Sequence, residues 1–205
     1  MKAKNIVLLL IPINILLAYF IYNSITSEIE FNKTAKIRIA ENVQKLKDLR
    51  QIQVKYKQTK GIYANNFEDL LFFLENDSLL IIKAIGETPD SLTDFQAIEL
   101  GIIARDTAYV TAKENVFDNS YIESRDNNYP LDINNLIRIP YTNELYSINS
   151  GMIEKGKVKV QVFEISSSYR SIFTGLDAEN RSYNLDDLLK VGSMDEASLN
   201  GNWGE

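Results

Sequence analysis

The chain contains no cysteine and no histidine. Without cysteine there can be no disulfides, thiolate nucleophiles, cysteine-type zinc sites or iron–sulfur clusters, and redox chemistry says nothing about compartment. Without histidine the commonest general base, the usual transition-metal ligand and every Ser–His or Cys–His arrangement are missing, which removes most familiar hydrolase chemistry. Glycine-rich phosphate loops are absent too, and the serines Ser166 to Ser168 stand in no Gly-x-Ser-x-Gly or Ser-x-x-Lys context. The chain is therefore read as a non-enzyme without a cofactor.

What is present is a composition of ordinary globular type, 45% hydrophobic and 24% charged over 205 residues, enough for one core of usual size. Charge is unevenly spread. Residues 32–60 hold nine basic side chains against Glu41 and Asp48, whereas from Gly61 onward eleven basic residues face twenty-four acidic ones. A basic stalk thus carries an acidic body.

The run Ile6 to Ile21 is uncharged, and with Asn5 and Tyr22 it reaches eighteen residues, about 27 Å of helix and just enough to cross a bilayer. Lys2 and Lys4 precede it, Glu28 and Glu30 follow it, and Tyr19, Phe20 and Tyr22 cluster at its exit. Positive charge stays inside and aromatic rings favour the interface, so the expectation is an inner-membrane, single-pass helix with a cytoplasmic N-terminus and a periplasmic domain. A cleaved signal peptide would share the charged start and apolar middle, but no Ala-x-Ala-like site follows the run. Pro12 and Asn14 interrupt the span. The Asn14 amide could bond a neighbouring helix or a local carbonyl, which makes it a candidate interaction residue.

The expected division is 1–5 cytoplasmic, 6–22 transmembrane, 23–33 linker, 34–190 soluble domain and 191–205 tail. Residues 34–59 contain neither Gly nor Pro and carry Ile39, Val43, Leu46, Leu49, Ile52 and Tyr56 at a period near 3.5. That stripe predicts a long amphipathic helix able to meet a partner helix, with Gly61 as its C-cap residue. Its basic side is read as solvated or paired with the acidic body. Nucleic acid is not expected as a partner, because the domain is expected outside the cytoplasm.

Asn66 is placed to cap a short helix over 66–76. Ser78 to Ile85 is a strand or a helix continuation, which periodicity leaves open. Strands are expected over Asp106 to Val116 and Glu144 to Ile153. Val158, Val160 and Val162 alternate with polar residues and predict a second strand of a hairpin, turning at Glu154 to Lys157. Another strand is expected at Ile172 to Leu176, and the tail after Val191 is read as loop.

The helix sequence Val43 to Tyr63 with Phe67, Leu70 and Leu71, together with the ending Lys190 to Trp203, resembles uncharacterised single-pass envelope proteins of Bacteroidota. More distantly, Tyr56-Lys57, Gly61 and Tyr63 followed by a short helix are similar to type IV pilins and type II secretion pseudopilins. That likeness implies an α+β fold: a transmembrane helix, a long amphipathic helix, then a pilin-like domain with a small antiparallel sheet. The Asn200-Gly-Asn-Trp203 ending is similar to the terminus of a major pseudopilin, whose acidic loops bind calcium. The apolar run lacks the Gly and Glu of prepilin processing, so the likeness implies architecture only.

Three functional classes follow. The leading one is a non-catalytic structural or assembly subunit working with other envelope or inner-membrane proteins or with itself. A ligand-binding or sensor module is the alternative, and a surface enzyme using two converging carboxylates is the third. Asp186-Asp187 and Asp195-Glu196 could hold a calcium ion, although neither matches an EF-hand loop.

Overall fold

A computed structural model describes residues 3–86, 89 and 91–204. Helix α1 spans Ala3–Lys60, 58 residues in one piece and about 87 Å long. It contains no glycine, and the one proline, Pro12, sits far from its packed half. Gly61 ends it with φ of 80°, donating its N–H to Lys57 O at 2.8 Å.

The segment 23–33, expected as a linker, is helical throughout. Its Ser, Thr and Asn residues are weak helix formers, but none breaks a helix that is already propagating. Tertiary contacts also hold it. Asn32 Nδ2 donates to Glu28 Oε1 at 2.8 Å, Arg181 Nη2 donates to Ser27 Oγ at 2.7 Å, and Arg181 also pairs with Glu28.

Helix α2, Phe67–Asn76, begins where Asn66 Oδ1 accepts from Asp69 N at 2.8 Å, and it buries Leu70, Phe73 and Leu74. The ambiguous stretch after it is strand β1, Ser78–Ile85. Beyond a short helix α3, Asp94–Glu99, strand β2, Ala104–Thr111, returns antiparallel to β1. The strand expected to reach Val116 stops at Thr111 because that residue forms a capping box with Glu114 and starts helix α4, Ala112–Val116. Helix α5 follows at Asn119–Ser124.

The expected hairpin is present as β3, Ser147–Lys155, and β4, Val158–Ser168, with Lys155 opposite Val158. Gly156 and Lys157 turn the chain with φ of 59° and 69°, the positive pair that a two-residue hairpin turn matching strand twist requires. Where a strand was expected near Ile172 the chain forms helix α6, Tyr169–Ile172, capped by Ser168. So short an apolar run carries no period of its own, and burial of Ile172 and Phe173 decides its shape.

Strand β5, Leu188–Gly192, completes a sheet ordered β3-β4-β5. The tail expected as loop folds back onto it. Asn202 N donates to Lys190 O, Asn202 Oδ1 accepts from Lys190 N, and Asn202 Nδ2 donates to Leu188 O at 2.7 Å. Trp203 then packs against the core. Gly192 is required where the tail begins: its φ is 75°, and a Cβ would lie 2.3 Å from Phe163 O.

The fold is α+β, with a long N-terminal helix and small antiparallel sheets, and one helix long and apolar enough to cross a membrane lies near the N-terminus. The core forms where the C-terminal half of α1 meets α2, α4, α6 and the three-stranded sheet.

Candidate functional site

Helix α1 has two unlike halves. From Leu10 to Ile25 every residue is exposed and touches nothing else in the chain's core. From Phe31 on, the body closes around it, and Phe31 meets the rings of Phe173 and Tyr183 edge-on.

The stripe expected to meet a partner helix is turned inward. Leu46, Leu49 and Ile52 are buried in the chain's own core, while Ile39, Val43 and Tyr56 are half-buried and pack against it. These six residues therefore build the fold, and a partner helix has no access to them as a continuous line. Sheet and loops supply the apolar cover that a partner would have given. Asn14 is apart from them, and its Nδ2 donates to Leu10 O at 2.9 Å, one turn back on its own helix. That is local satisfaction of the amide. The carbonyl that loses its donor to Pro12 belongs to Leu8, so Asn14 does not repair it.

Four polar side chains of α1, none of them on the expected stripe, fasten the body to it. Asp48 has a side chain only 1% exposed and receives two 2.8 Å bonds from Arg125, one from Tyr121 Oη at 2.9 Å and one from Gln44 Nε2. The pairing with Asp48 raises the Arg125 pKa, and burial pushes the Tyr121 phenol far above its ordinary value. Gln44 Oε1 accepts the backbone N–H of Asp126. Asn42 accepts from the Tyr146 phenol at 2.6 Å, and Gln53 exchanges two hydrogen bonds with Ala64. A buried carboxylate is tolerated only when charged and neutral donors surround it, and here three residues supply four bonds. The sequence signal was the scarcity of acids in this stretch: Asp48 is one of two among nine basic residues.

Basic residues of α1 also reach the body through carbonyls. Lys45 Nζ donates to Asn135 O and Arg138 O at 2.8 and 2.9 Å, with burial lowering its pKa, and Arg38 donates to Ile172 O and Thr174 O. Part of the stalk's positive charge is thus spent on capping loops in the acidic body. Lys60 forms an ion pair with Asp77.

A cleft of about 440 Å³ opens between α1 and the loop following α5, bounded by Lys45, Tyr129, Asp132 and Tyr141. Its polar groups are already engaged: Lys45 as above, and Tyr129 Oη as donor to Ile37 O. Among the described residues no three carboxylates are placed to hold a metal. Asp186 of the proposed calcium cluster pairs with Arg170, and Asp187 accepts from Asn184.

The comparisons with known proteins are sparse. No protein-family model matches the chain, and no solved structure matches it significantly. Among curated proteins, it is 30% identical over 158 residues to the mRNA 3'-end-processing protein RNA14 of Saccharomyces cerevisiae. The match covers 75% of this chain and 22% of that protein. The chain thus spans about a fifth of the length of the curated relative it matches.

Proposed function

We propose that the chain is a non-catalytic structural or assembly subunit of a bacterial envelope machine, pilin-like in build and held in the inner membrane by its first helix. The N-terminus lies in the cytoplasm and the body in the periplasm. The observation that carries this reading is the division of α1: an exposed apolar half that has no use within the chain, joined without a break to a half that forms the core of the body. Such a build transmits position from membrane to body and needs no reactive group.

Its partners are other envelope or inner-membrane proteins, including copies of itself. Nucleic acid is not among them, since the body is acidic and the basic residues Arg38 and Lys45 serve its loops. The yeast protein's mRNA processing is not carried over from a match to about a fifth of that protein. A ligand-binding sensor is the second reading; the cleft of about 440 Å³ beside Lys45 offers room for it, although Lys45 and Tyr129 are already bonded within the chain. Crosslinking in intact membranes, followed by identification of the attached proteins, tests the first. Reproducible membrane-protein adducts are expected, and a chain that crosslinks to nothing contradicts it.

A further inference from the structure

The three-stranded sheet has two edges, and the chain treats them differently. At β5 the returning tail takes up the outward backbone groups: Lys190 N donates to Asn202 Oδ1 at 2.9 Å, Lys190 O accepts from Asn202 N at 3.1 Å, and Gly192 N donates to Asn200 O at 3.0 Å. At β3 the outward groups stay open. The two-residue turn at Gly156 and Lys157 makes Lys155 and Val158 a hydrogen-bonded pair, so Ile153, Gly151, Asn149 and Ser147 bond to β4 in the same way. The residues between them, Ile148, Ser150, Met152 and Glu154, turn their N–H and C=O groups outward. Among the described residues none of these groups has a hydrogen-bond partner. The row begins just after Tyr146, whose N–H still reaches Ile137 O at 3.1 Å.

An open edge is a template for another strand, and proteins guard such edges with charge, proline or a bulge. From Ser147 to Ile153 strand β3 has no charge and no proline, and its pairing with β4 runs without a skipped residue. A pocket of about 290 Å³ lies beside this edge, between β3 and the end of α1 with the segment that follows it. Ser150 and Met152 line it from the strand, on the face where Ile148 packs against the core. Tyr56, Ile62 and Tyr63 line it from the other side. Asp69 is the one charged residue of the lining, and Gln161, opposite Met152, keeps a buried Oε1 with no hydrogen-bond partner.

We propose that β3 takes a fourth strand from a partner protein, an extended segment that presents an arginine to this pocket; the inference rests on the assembly reading. Outward N–H and C=O groups at every second residue are met in full by another strand, and the pocket beside them selects one side chain. The arginine stem covers Ile62, Met152 and the tyrosine rings, and its five donors serve the Asp69 carboxylate and the Gln161 amide. On the opposite face of β3 Ser147 and Asn149 are exposed, so the partner residues flanking the arginine are polar.

The probe is a capped peptide of the order Thr-Val-Thr-Arg-Thr-Val-Thr, added in large excess to the full chain in lipid nanodiscs, with amide hydrogen exchange read residue by residue. Exchange at Ser150 and Met152 should slow by at least about tenfold, while Gly151 and Ile153, already paired with β4, stay unchanged. The same peptide N-methylated at every residue should protect neither amide, and one with glutamate in place of arginine should protect several-fold less. Asp69→Asn in the chain should remove that preference for arginine. No slowing at Ser150 and Met152, equal slowing by the N-methylated peptide, or equal slowing by the glutamate peptide overturns the proposal. Slowing that appears without peptide as the chain is concentrated assigns the edge to a second copy and overturns the partner strand. Each of these outcomes leaves the assembly reading standing, because crosslinking in intact membranes tests that separately.

Discussion

Replacing Asp48 by alanine removes the carboxylate that receives both Arg125 bonds, the Tyr121 phenol and the Gln44 amide. The Arg125 side chain is only 7% exposed, so its charge would be left buried without a counterion. Breaking a buried pair from one side costs about 3–5 kcal/mol, well above the typical cost of a surface substitution. In a body of this size each kcal/mol lowers Tm by about 2–4 °C, which places the loss at roughly 6–20 °C. Thermal unfolding of the detergent-solubilised full chain, followed by near-ultraviolet circular dichroism, reads it directly. The pairing is separated from mere packing by a double-mutant cycle with Arg125→Met, where the second change should restore a large share of the lost stability. A loss below about 1 kcal/mol, or double-variant losses that simply add, would refute the claim that this network fastens the loop after α5 to α1.

Gly192→Ala should destabilise by at least about 2 kcal/mol, because it places a side chain at positive φ and against Phe163 O, and a denaturant midpoint equal to that of the parent would contradict this. Asn202→Ala should cost about 1–2 kcal/mol and shift the emission of the sole tryptophan, Trp203, to the red as the tail loosens. Alkaline pH should unfold the body. Burial raises the Tyr146 and Tyr121 pKa values in the folded state, so their contribution is whole below the unfolded value of about 10 and is lost as pH rises above it. Difference absorbance should show these phenols ionising together with unfolding; their independent titration in folded protein would contradict the burial.

Local chemistry made some of the fold legible. Asn66 announced α2, Gly61 the end of α1, and the alternating valines with Gly156 the hairpin. Each is set by residues within a few positions. What escaped depends on distant parts of the chain. Residues 23–33 look like a linker until Arg181 grips Ser27 and Glu28, and the tail looks loose until Asn202 pairs with β5. The stripe from Ile39 to Tyr56 was visible as apolar, but its partner was the chain's own body, which periodicity alone cannot distinguish from another chain. Conversely Asn42, Gln44, Asp48 and Gln53 are polar and lie off the apolar stripe, and only the groups from the body that bond them explain their burial.

The most direct test of a membrane helix that passes without a joint into the body is a distance between spin labels at Asn23 and Gln58, with the full chain in lipid bilayers. Both positions are exposed on α1, and 35 residues of unbroken helix predict a narrow distribution near about 52 Å. A broad distribution, or one centred well short of that distance, would show a flexible joint between span and body and contradict the single helix.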